Sequence, residues 1–389
     1  MKRLAIVTTH PIQYYAPVFK LLHKRGRISI KVFYTWGEAA LQKYDPGFQK
    51  HIQWDVPLLD GYPYEWVLNT AANKGSHHFK GIVTPGLNQQ IEDWKPDAVL
   101  IFGWAYKGHL SAMRYFKGKL PVFFRGDSTM LDMGPGVRSA IKNVFLRWIY
   151  RKVDYAFYVG ANNKAYFKTV GLIDSQLIFA PHAVDNARFY ISRNQEVLAL
   201  RDSLSLKPDD ILLLFAGKFE AKKNPHLLLE SFKKIKKPNL HLLFVGNGEL
   251  ERGLKNAAAI ESRIHFMDFM NQSEIPVVYQ AADLFCMPSA GPGETWGLAV
   301  NEAMAAAKPV LVSNKVGCAV DLVRYNINGE IFKSQSVEAL TDALLRLTSD
   351  KDSLAQMGAQ SKKIIQPWNF ISIAEAIEET LIQSYADES

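Results

Sequence analysis

Cysteine is nearly absent. The 389 residues hold only Cys286 and Cys318, which give neither a disulfide framework nor a metal-ligand cluster, so a reducing, cytoplasmic setting is expected. Apolar runs of membrane-spanning length are missing as well. The opening stretch "MKRLAIVTTHPIQYY" starts basic, but its apolar core ends after Val7, too soon for a secretory signal. There is no H-E-x-x-H motif for zinc and no G-x-S-x-G elbow for a nucleophilic serine. The single D-x-D triplet, Asp350-Lys351-Asp352, falls between predicted helices near the C-terminal end and reads as a helix cap, not a metal site. No short repeat or low-complexity segment occurs. Disulfide-stapled, membrane-spanning, zinc-dependent and repeat architectures are thereby set aside.

What remains is a globular composition, 48% hydrophobic and 22% charged, in a chain long enough that two domains are expected. The net charge of +8 is uneven. Residues 1–190 carry 25 Lys+Arg against 13 Asp+Glu, or +12, which leaves 21 against 25, or −4, for the rest. A basic first half suits an acidic partner such as anionic lipid, a phosphorylated acceptor or nucleic acid, or it is simply a basic surface.

Apolar, β-rich runs alternate with helical patterns along both halves. In the first, "RLAIVTT", "ISIKVFY", "DAVLIFG", "PVFF", "YAFYVG" and "LIFA" read as buried strands, with "PVFKLLHKRG" and "VRSAIKNVFLRWIYRK" as helices. In the second, "ILLLFAG", "HLLFVG", "RIHFM", "DLFCMPS", "PVLVS" and "GEIF" are strands, and the helices between them start near Pro225, Glu249, Glu274, Leu298, Val320 and Val337. This alternation predicts an α/β protein with two doubly wound, Rossmann-like parallel sheets, whose ligands bind beyond the carboxyl ends of the strands. The polar stretch 190–208 contains the expected boundary. The division is residues 1–195, 196–370 and a C-terminal helix over 371–389 that packs back toward the first domain.

Three strand-end loops carry candidate chemistry. "FAGKFEAKKNP" (215–225) turns at Gly217 and offers Lys218 and Lys223 before a helix that Asn224 is placed to cap. Two ammonium groups beside a helix N-terminus make a diphosphate site, although a solvated lysine-rich loop has the same sequence. "FVGNGELE" (244–251) turns through Gly246, Asn247 and Gly248; glycines there permit close backbone approach, and are also the default for any tight turn. "ETWGLAVNEAMA" (294–305) holds Glu294 and Glu302, eight positions apart. Gly297 and the Pro-Gly pair at 292–293 start the helix after Glu294, so one carboxylate sits in the loop and the other within the first turns. Such a pair could grip two ends of one polar ligand.

Over residues 180–370 the chain resembles the retaining glycosyltransferases of family 4, which have the GT-B fold of two Rossmann-like domains facing across a cleft. The resemblance rests on the Glu-x7-Glu pair in "ETWGLAVNEAMAAAKPV", together with "PHAVDNARF", "AGKFEAKKNP", "VGNGELE", "ADLFCMPS" and "VGCAVDLVRYNINGEIF" in the expected order. It implies that Glu294 bonds hydroxyls of a donor sugar and that Glu302 holds the ribose. Backbone N–H groups of Trp296, Gly297 and Leu298 would meet the sugar and diphosphate, and Lys218 and Lys223 would neutralise the diphosphate. Gly217, Gly246 and Asn247 would line the donor site. Where the family usually has Arg, this chain has Lys218, a point charge in place of a planar fork.

The first half resembles the family less. Where many members have a Gly-Gly pair, this chain has His10, Gln13, Tyr14 and Tyr15, read as an acceptor surface or as cleft packing. At the end of "PVFFRGDSTM" stand Arg125 and Asp127; Asp127 is read as a contact to donor sugar or acceptor hydroxyl, the other reading being a turn in which it bonds its own backbone. The helix over 137–152 groups Ile141, Val144, Phe145, Trp148 and Ile149 on one face; it is expected to pack that face on the sheet, with an anionic lipid surface as the other reading.

The resemblance therefore implies a retaining transferase that moves a sugar from a nucleoside diphosphate to a glycan, lipid-linked or protein acceptor, in bacterial surface polysaccharide or glycoconjugate synthesis. Neither cofactor nor metal is expected, nor nucleic acid as partner. A cytoplasmic location is expected, with peripheral contact at the inner face of an anionic membrane. The rivals are a GT-B sugar-nucleotide epimerase or hydrolase, which would turn over donor without acceptor, and a catalytically silent sugar-nucleotide-binding scaffold.

Overall fold

Runs such as "LAIV", "AVLIF" and "ILLLFA" are apolar at consecutive positions, which requires a strand covered on both faces, as in a parallel sheet flanked by helices. A computed structural model describes residues 1–384 apart from Lys43, Pro46, Met133, Pro135 and Gly136. It places those runs in two sheets. In chain order the strands are β1 (Arg3–Thr8), β2 (Ser29–Tyr34), the short antiparallel pair β3 (Tyr44–Asp45) and β4 (Lys50–His51), β5 (Tyr64–Trp66), β6 (Ala98–Phe102), β7 (Val122–Arg125), β8 (Tyr155–Tyr158) and β9 (Leu177–Phe179). They continue with β10 (Ile211–Ala216), β11 (Leu240–Val245), β12 (Ile264–Met267), β13 (Leu284–Met287), β14 (Val310–Ser313) and β15 (Gly329–Phe332). The chain divides into two units, one of residues 1–43, 56–182 and 370–389, the other of 44–55 and 183–369. The polar stretch 190–208 lies wholly in the second unit, where it includes the helix Asn194–Ser203. Arg201 ties that helix down by donating to the carbonyls of Ala281 and Asp210 and to Asp283.

The first unit has seven parallel strands in the order β5-β2-β1-β6-β7-β8-β9. The order reverses between β1 and β6, so the loops after Thr8 and Phe102 flank the position where doubly wound sheets bind ligands. Its core joins Ala5, Val7, Val99, Ile101 and Phe124 to helix residues such as Met113, Phe116, Leu146 and Ile149. The C-terminal helix Phe370–Gln383 belongs to this unit. Its Glu378 is fully buried and accepts two hydrogen bonds from Arg25 Nε, at 3.0 and 3.1 Å, and one from Arg27 at 3.1 Å. Two guanidiniums thus compensate a carboxylate that would otherwise be costly to desolvate.

The helix Val137–Tyr150 departs from expectation. Leu146, Ile149 and Tyr150 face the core, whereas Ile141, Val144, Phe145 and Trp148 are exposed by 66%, 70%, 48% and 40%. Packing against the sheet is therefore met by Leu146, Ile149 and Tyr150; of the stripe chosen from the sequence only Ile149 is buried, and its other four residues point to solvent. A helix apolar on two faces can dock by either, and periodicity alone assigned the wrong one.

In the second unit, six parallel strands run β12-β11-β10-β13-β14-β15, and the order reverses between β10 and β13. Leu213, Phe215, Leu242, Phe244, Cys286 and Leu311 form its core with Leu228, Phe232, Leu340 and Leu344 from the helices. Both cysteines are buried, and burial raises their thiols far above the usual range. Asp350 caps the helix Lys351–Ile365, accepting from the backbone N–H groups of Asp352 and Ser353. Among the described residues no helix is long and apolar enough to cross a membrane.

Candidate functional site

The loops that follow β10, β11 and β13 bring most of the motif residues together. Glu294 lies in the loop after β13, and Glu302 lies within the helix Leu298–Ala305. Both are buried, each 6% exposed. Glu294 Oε2 accepts from Ser289 Oγ at 3.0 Å and from Lys223 Nζ at 2.6 Å. Lys223 is thus held by one of the carboxylates with which it was expected to share a ligand. Glu302 accepts from the Tyr279 hydroxyl at 2.8 Å.

Gly297 makes the entry to the helix. Its φ of 97° is left-handed, and a Cβ there would approach Val316 Cγ1 to 2.9 Å and Met287 Sδ to 3.0 Å. Only glycine both turns and fits. The loop is strapped in place by Gly317 N–H to the Glu294 carbonyl (3.0 Å) and Cys318 N–H to the Trp296 carbonyl (2.9 Å). Trp296 is itself 3% exposed, its indole N–H donating to Asn301 at 2.8 Å. The indole therefore locks the loop to the helix, and what Trp296, Gly297 and Leu298 can offer a ligand is backbone N–H at a helix N-terminus.

Lys218 follows Gly217 at the end of β10 and donates to both oxygens of Asp45, at 2.9 and 3.1 Å. Asp45 belongs to the 44–55 segment. That segment is bound to this unit also by Lys50–Asp268 at 3.2 Å, by Ser273 N–H to Asp55 at 3.1 Å, and by Phe48 and Trp54 against Phe269. The Asp45 carboxyl sits below its usual range: desolvation opposes this, but Lys218 and the N–H groups of Gly47 and Phe48 outweigh it.

Two expected features are structural. A Cβ on Gly246 would lie 2.0 Å from the Gly217 carbonyl oxygen, so the glycine serves the close approach of two loops whether or not a ligand binds. Asn247 is 4% exposed; its amide donates to Glu251 and Asp268, each at 3.0 Å, and its oxygen accepts from Phe269 N–H at 2.9 Å. Asn224 stands at the N-cap of Pro225–Lys234 without side-chain capping, because its left-handed backbone (φ 52°) is not the extended geometry a capping side chain needs.

In the first unit, Asp127, Arg125, Tyr15 and His182 gather at the ends of β7 and β9. His182 Nε2 stands 3.7 Å from Asp127 Oδ2, and its ring stacks on Tyr15 with centroids 6.3 Å apart. Burial lowers the His182 imidazole against the raising effect of Asp127, and raises the Tyr15 phenol to about 12. Arg125, expected to contact an acceptor, is 2% exposed, and its two amino groups donate to the carbonyls of Ala180 and Pro181, each at 2.9 Å. It is a clamp on the chain after β9, not an open contact. His10 bonds Thr9 Oγ1 at 2.8 Å and packs edge-on against Trp36; Gln13 is buried and Tyr14 half-buried.

Sequence reasoning passed over Ser289, Tyr279, Asp45 and His182. The first two sit in strand and helix runs that read as core. His182 lies inside a matched motif, "PHAVDNARF", and was the one residue of these with a signal. Among the described residues no group of three His, Cys, Asp or Glu is placed to hold a metal ion.

Two doubly wound parallel sheets with polar groups at the carboxyl ends of their strands are the arrangement of GT-B structures. The fold is shared by HepE from Anabaena in complex with UDP and glucose, with TM-score 0.72 and 17% identity, over 98% of this chain and 100% of that one. Residues 197–364, within the second unit, match the model for glycosyl transferases group 1. Among curated relatives, the Escherichia coli UDP-Gal:alpha-D-GlcNAc-diphosphoundecaprenol alpha-1,3-galactosyltransferase is 28% identical over 210 residues, 52% of this chain and 53% of that protein. The Mycobacterium tuberculosis GDP-mannose-dependent alpha-(1-6)-phosphatidylinositol monomannoside mannosyltransferase is 26% identical over 248 residues, 61% and 63% of the two chains. The chain spans about half the length of the curated relatives it matches.

Proposed function

We propose that the protein is a retaining, metal-independent glycosyltransferase that moves a sugar from a nucleoside diphosphate to an acceptor hydroxyl. The observation that carries this reading is the buried Lys223–Glu294 pair beside the N-terminus of the helix bearing Glu302, within the region that matches glycosyl transferases group 1. Glu294 bonds donor-sugar hydroxyls and Glu302 the ribose. The diphosphate lies at the helix N-terminus, where backbone N–H groups and the helix dipole favour an anion. Lys223 and Lys218 stabilise the charge that grows on the diphosphate as its bond to the anomeric carbon breaks. The acceptor oxygen attacks from the same face, and its proton passes to the departing diphosphate, so the products are a glycoside and a nucleoside diphosphate. Asp127 orients the acceptor hydroxyl, with His10, Gln13, Tyr14 and Tyr15 forming the acceptor surface.

A lipid-linked glycan acceptor, at the cytoplasmic face of a bacterial membrane and in surface-polysaccharide synthesis, is the acceptor class we favour. The activities of the E. coli and M. tuberculosis relatives support it, since each has a lipid-borne acceptor. The test is a screen of UDP-, GDP- and ADP-sugars without added metal, by thermal shift and by nucleotide release with and without acceptor. A stabilising donor whose nucleotide is released mainly when acceptor is present supports transfer. Rapid release without acceptor would favour a hydrolase, and no stabilisation by any donor would remove the donor site.

A further inference from the structure

The exposed face of the helix Val137–Tyr150 has no role in the chemistry above. Ile141, Val144, Phe145 and Trp148 follow the i, i+3, i+4, i+7 spacing of one helical stripe, and all four face solvent. Phe145 and Trp148 stack with ring centroids 5.9 Å apart, forming one continuous aromatic surface. The helix's other side is fully engaged through Leu146, Ile149 and Tyr150. The outward stripe is therefore not required to hold the helix on its unit. A contiguous apolar stripe of this kind marks an interaction surface.

The charges around it choose the occupant. Residues 137–152 contain five basic residues and no acidic one. Lys142 lies on one flank of the stripe, Arg147 and Arg151 on the other, all exposed, and the Lys152 ammonium sits 5.7 Å from the Trp148 ring. Arg114, from the neighbouring helix Lys107–Phe116, places its guanidinium 5.8 Å from the same ring. Apolar groups along the centre with cations on both edges match an interface of acyl chains below anionic headgroups, and Trp and Phe suit that boundary. A second copy of the chain would bring two sets of like charges together, which disfavours self-association through this face.

The geometry points to the helix Val137–Tyr150 as a docking surface for anionic membrane, with Ile141, Val144, Phe145 and Trp148 entering the headgroup–acyl boundary and Lys142, Arg151 and Lys152 pairing with lipid phosphates. This inference is independent of the donor site and stands or falls without it.

Co-sedimentation of the full chain tests it, using vesicles of phosphatidylcholine alone and of equal parts phosphatidylcholine and phosphatidylglycerol. Binding is expected to the second only, and to weaken as salt is raised. The triple variant Lys142→Gln/Arg151→Gln/Lys152→Gln is expected to bind roughly a hundredfold more weakly. Ile141→Ser/Val144→Ser/Phe145→Ser is expected to abolish retention while leaving the thermal unfolding midpoint near that of the parent, since these side chains are exposed. Failure of the parent to bind anionic vesicles would overturn the proposal, as would equal binding by either variant. A dimer in light scattering that the serine variant dissolves, without vesicle binding by the parent, would instead assign the face to a second copy.

Discussion

Glu294 and Lys223 each satisfy the other, so a substitution at either site tests two things. Truncating Glu294 to Ala would leave the Lys223 ammonium, 17% exposed, without its closest carboxylate, at roughly 1–3 kcal/mol of stability. Glu294→Gln keeps the shape and an acceptor for Ser289 while removing the charge. We expect it to fold normally and to lose transfer by roughly 10²–10³-fold, the usual cost of one charged contact made at the reacting centre. Near-normal turnover by a folded Glu294→Gln enzyme would show that this carboxylate does not touch the donor. Lys218 raises a different question, because its ammonium is already bonded by Asp45. If the diphosphate binds Lys218, it must share the ammonium with that carboxylate or replace it, and in either case the Asp45 charge opposes the ligand's. Calorimetric titration with the nucleoside diphosphate should then find Lys218→Ala weaker and Asp45→Ala tighter, each by about 1 kcal/mol or fivefold for a partly buried pair. Unchanged affinity in both would place the diphosphate elsewhere.

Elements were legible where one residue pattern had one structural outcome. The apolar runs became the central strands of both sheets, and the six helices read between the second unit's strands begin at or within two residues of the expected positions, at Pro225, Glu251, Ile275, Leu298, Ala319 and Val337. Gly297 and the Pro-Gly pair at 292–293 likewise put Glu294 in a loop and Glu302 in a helix. What escaped was decided by contacts distant in sequence. Tyr64–Trp66 is too short to announce an edge strand, and nothing local reveals that 44–55 would lie against Lys218 and Phe269. Arg125 reads as a polar strand end but is buried by carbonyls more than fifty residues away. The helix Phe370–Gln383 shows the same dependence. Its Glu378 sits mid-helix in an apolar pattern and is tolerated only because Arg25 and Arg27 reach it. Glu378→Ala is therefore expected to lower stability by roughly 1–3 kcal/mol, because the part-buried Arg25 then keeps only its longer contact to Glu375, at 3.4 Å. Chemical denaturation would check this, and a change below a few tenths of a kcal/mol would mean that helix packing alone holds the terminus.

At the scale of the whole molecule, buried imidazoles set the acid limit of stability. His109 is fully buried; its Nδ1 faces the carbonyls of Phe102 and Gly103 at 3.0 and 2.9 Å and so carries the proton, while Nε2 lies 2.8 Å from Thr35 Oγ1. Desolvation lowers this imidazole to about 4, against an ordinary value near 6.5. His182 in the same unit, and His241 and His265 in the other, are also lowered by burial. The sign follows from linkage. Between pH 6.5 and 4 the unfolded chain binds a proton at His109 that the folded chain does not, so stability falls as pH falls through that window, and the other three imidazoles act in the same direction. Above pH 6.5 both states are neutral there and the contribution is constant. His109 alone accounts for about 3 kcal/mol across the window. Calorimetric scans from pH 7.5 to 4 should show the first unit's transition moving steadily to lower temperature, and His109→Gln should flatten part of that slope while lowering the midpoint at pH 7.5. Glutamine retains an amide donor for the Phe102 or Gly103 carbonyl but has no proton to gain. An identical slope in parent and variant would mean that His109 gains its proton at the same pH in the folded and unfolded chains, its burial being compensated by the two carbonyls it faces.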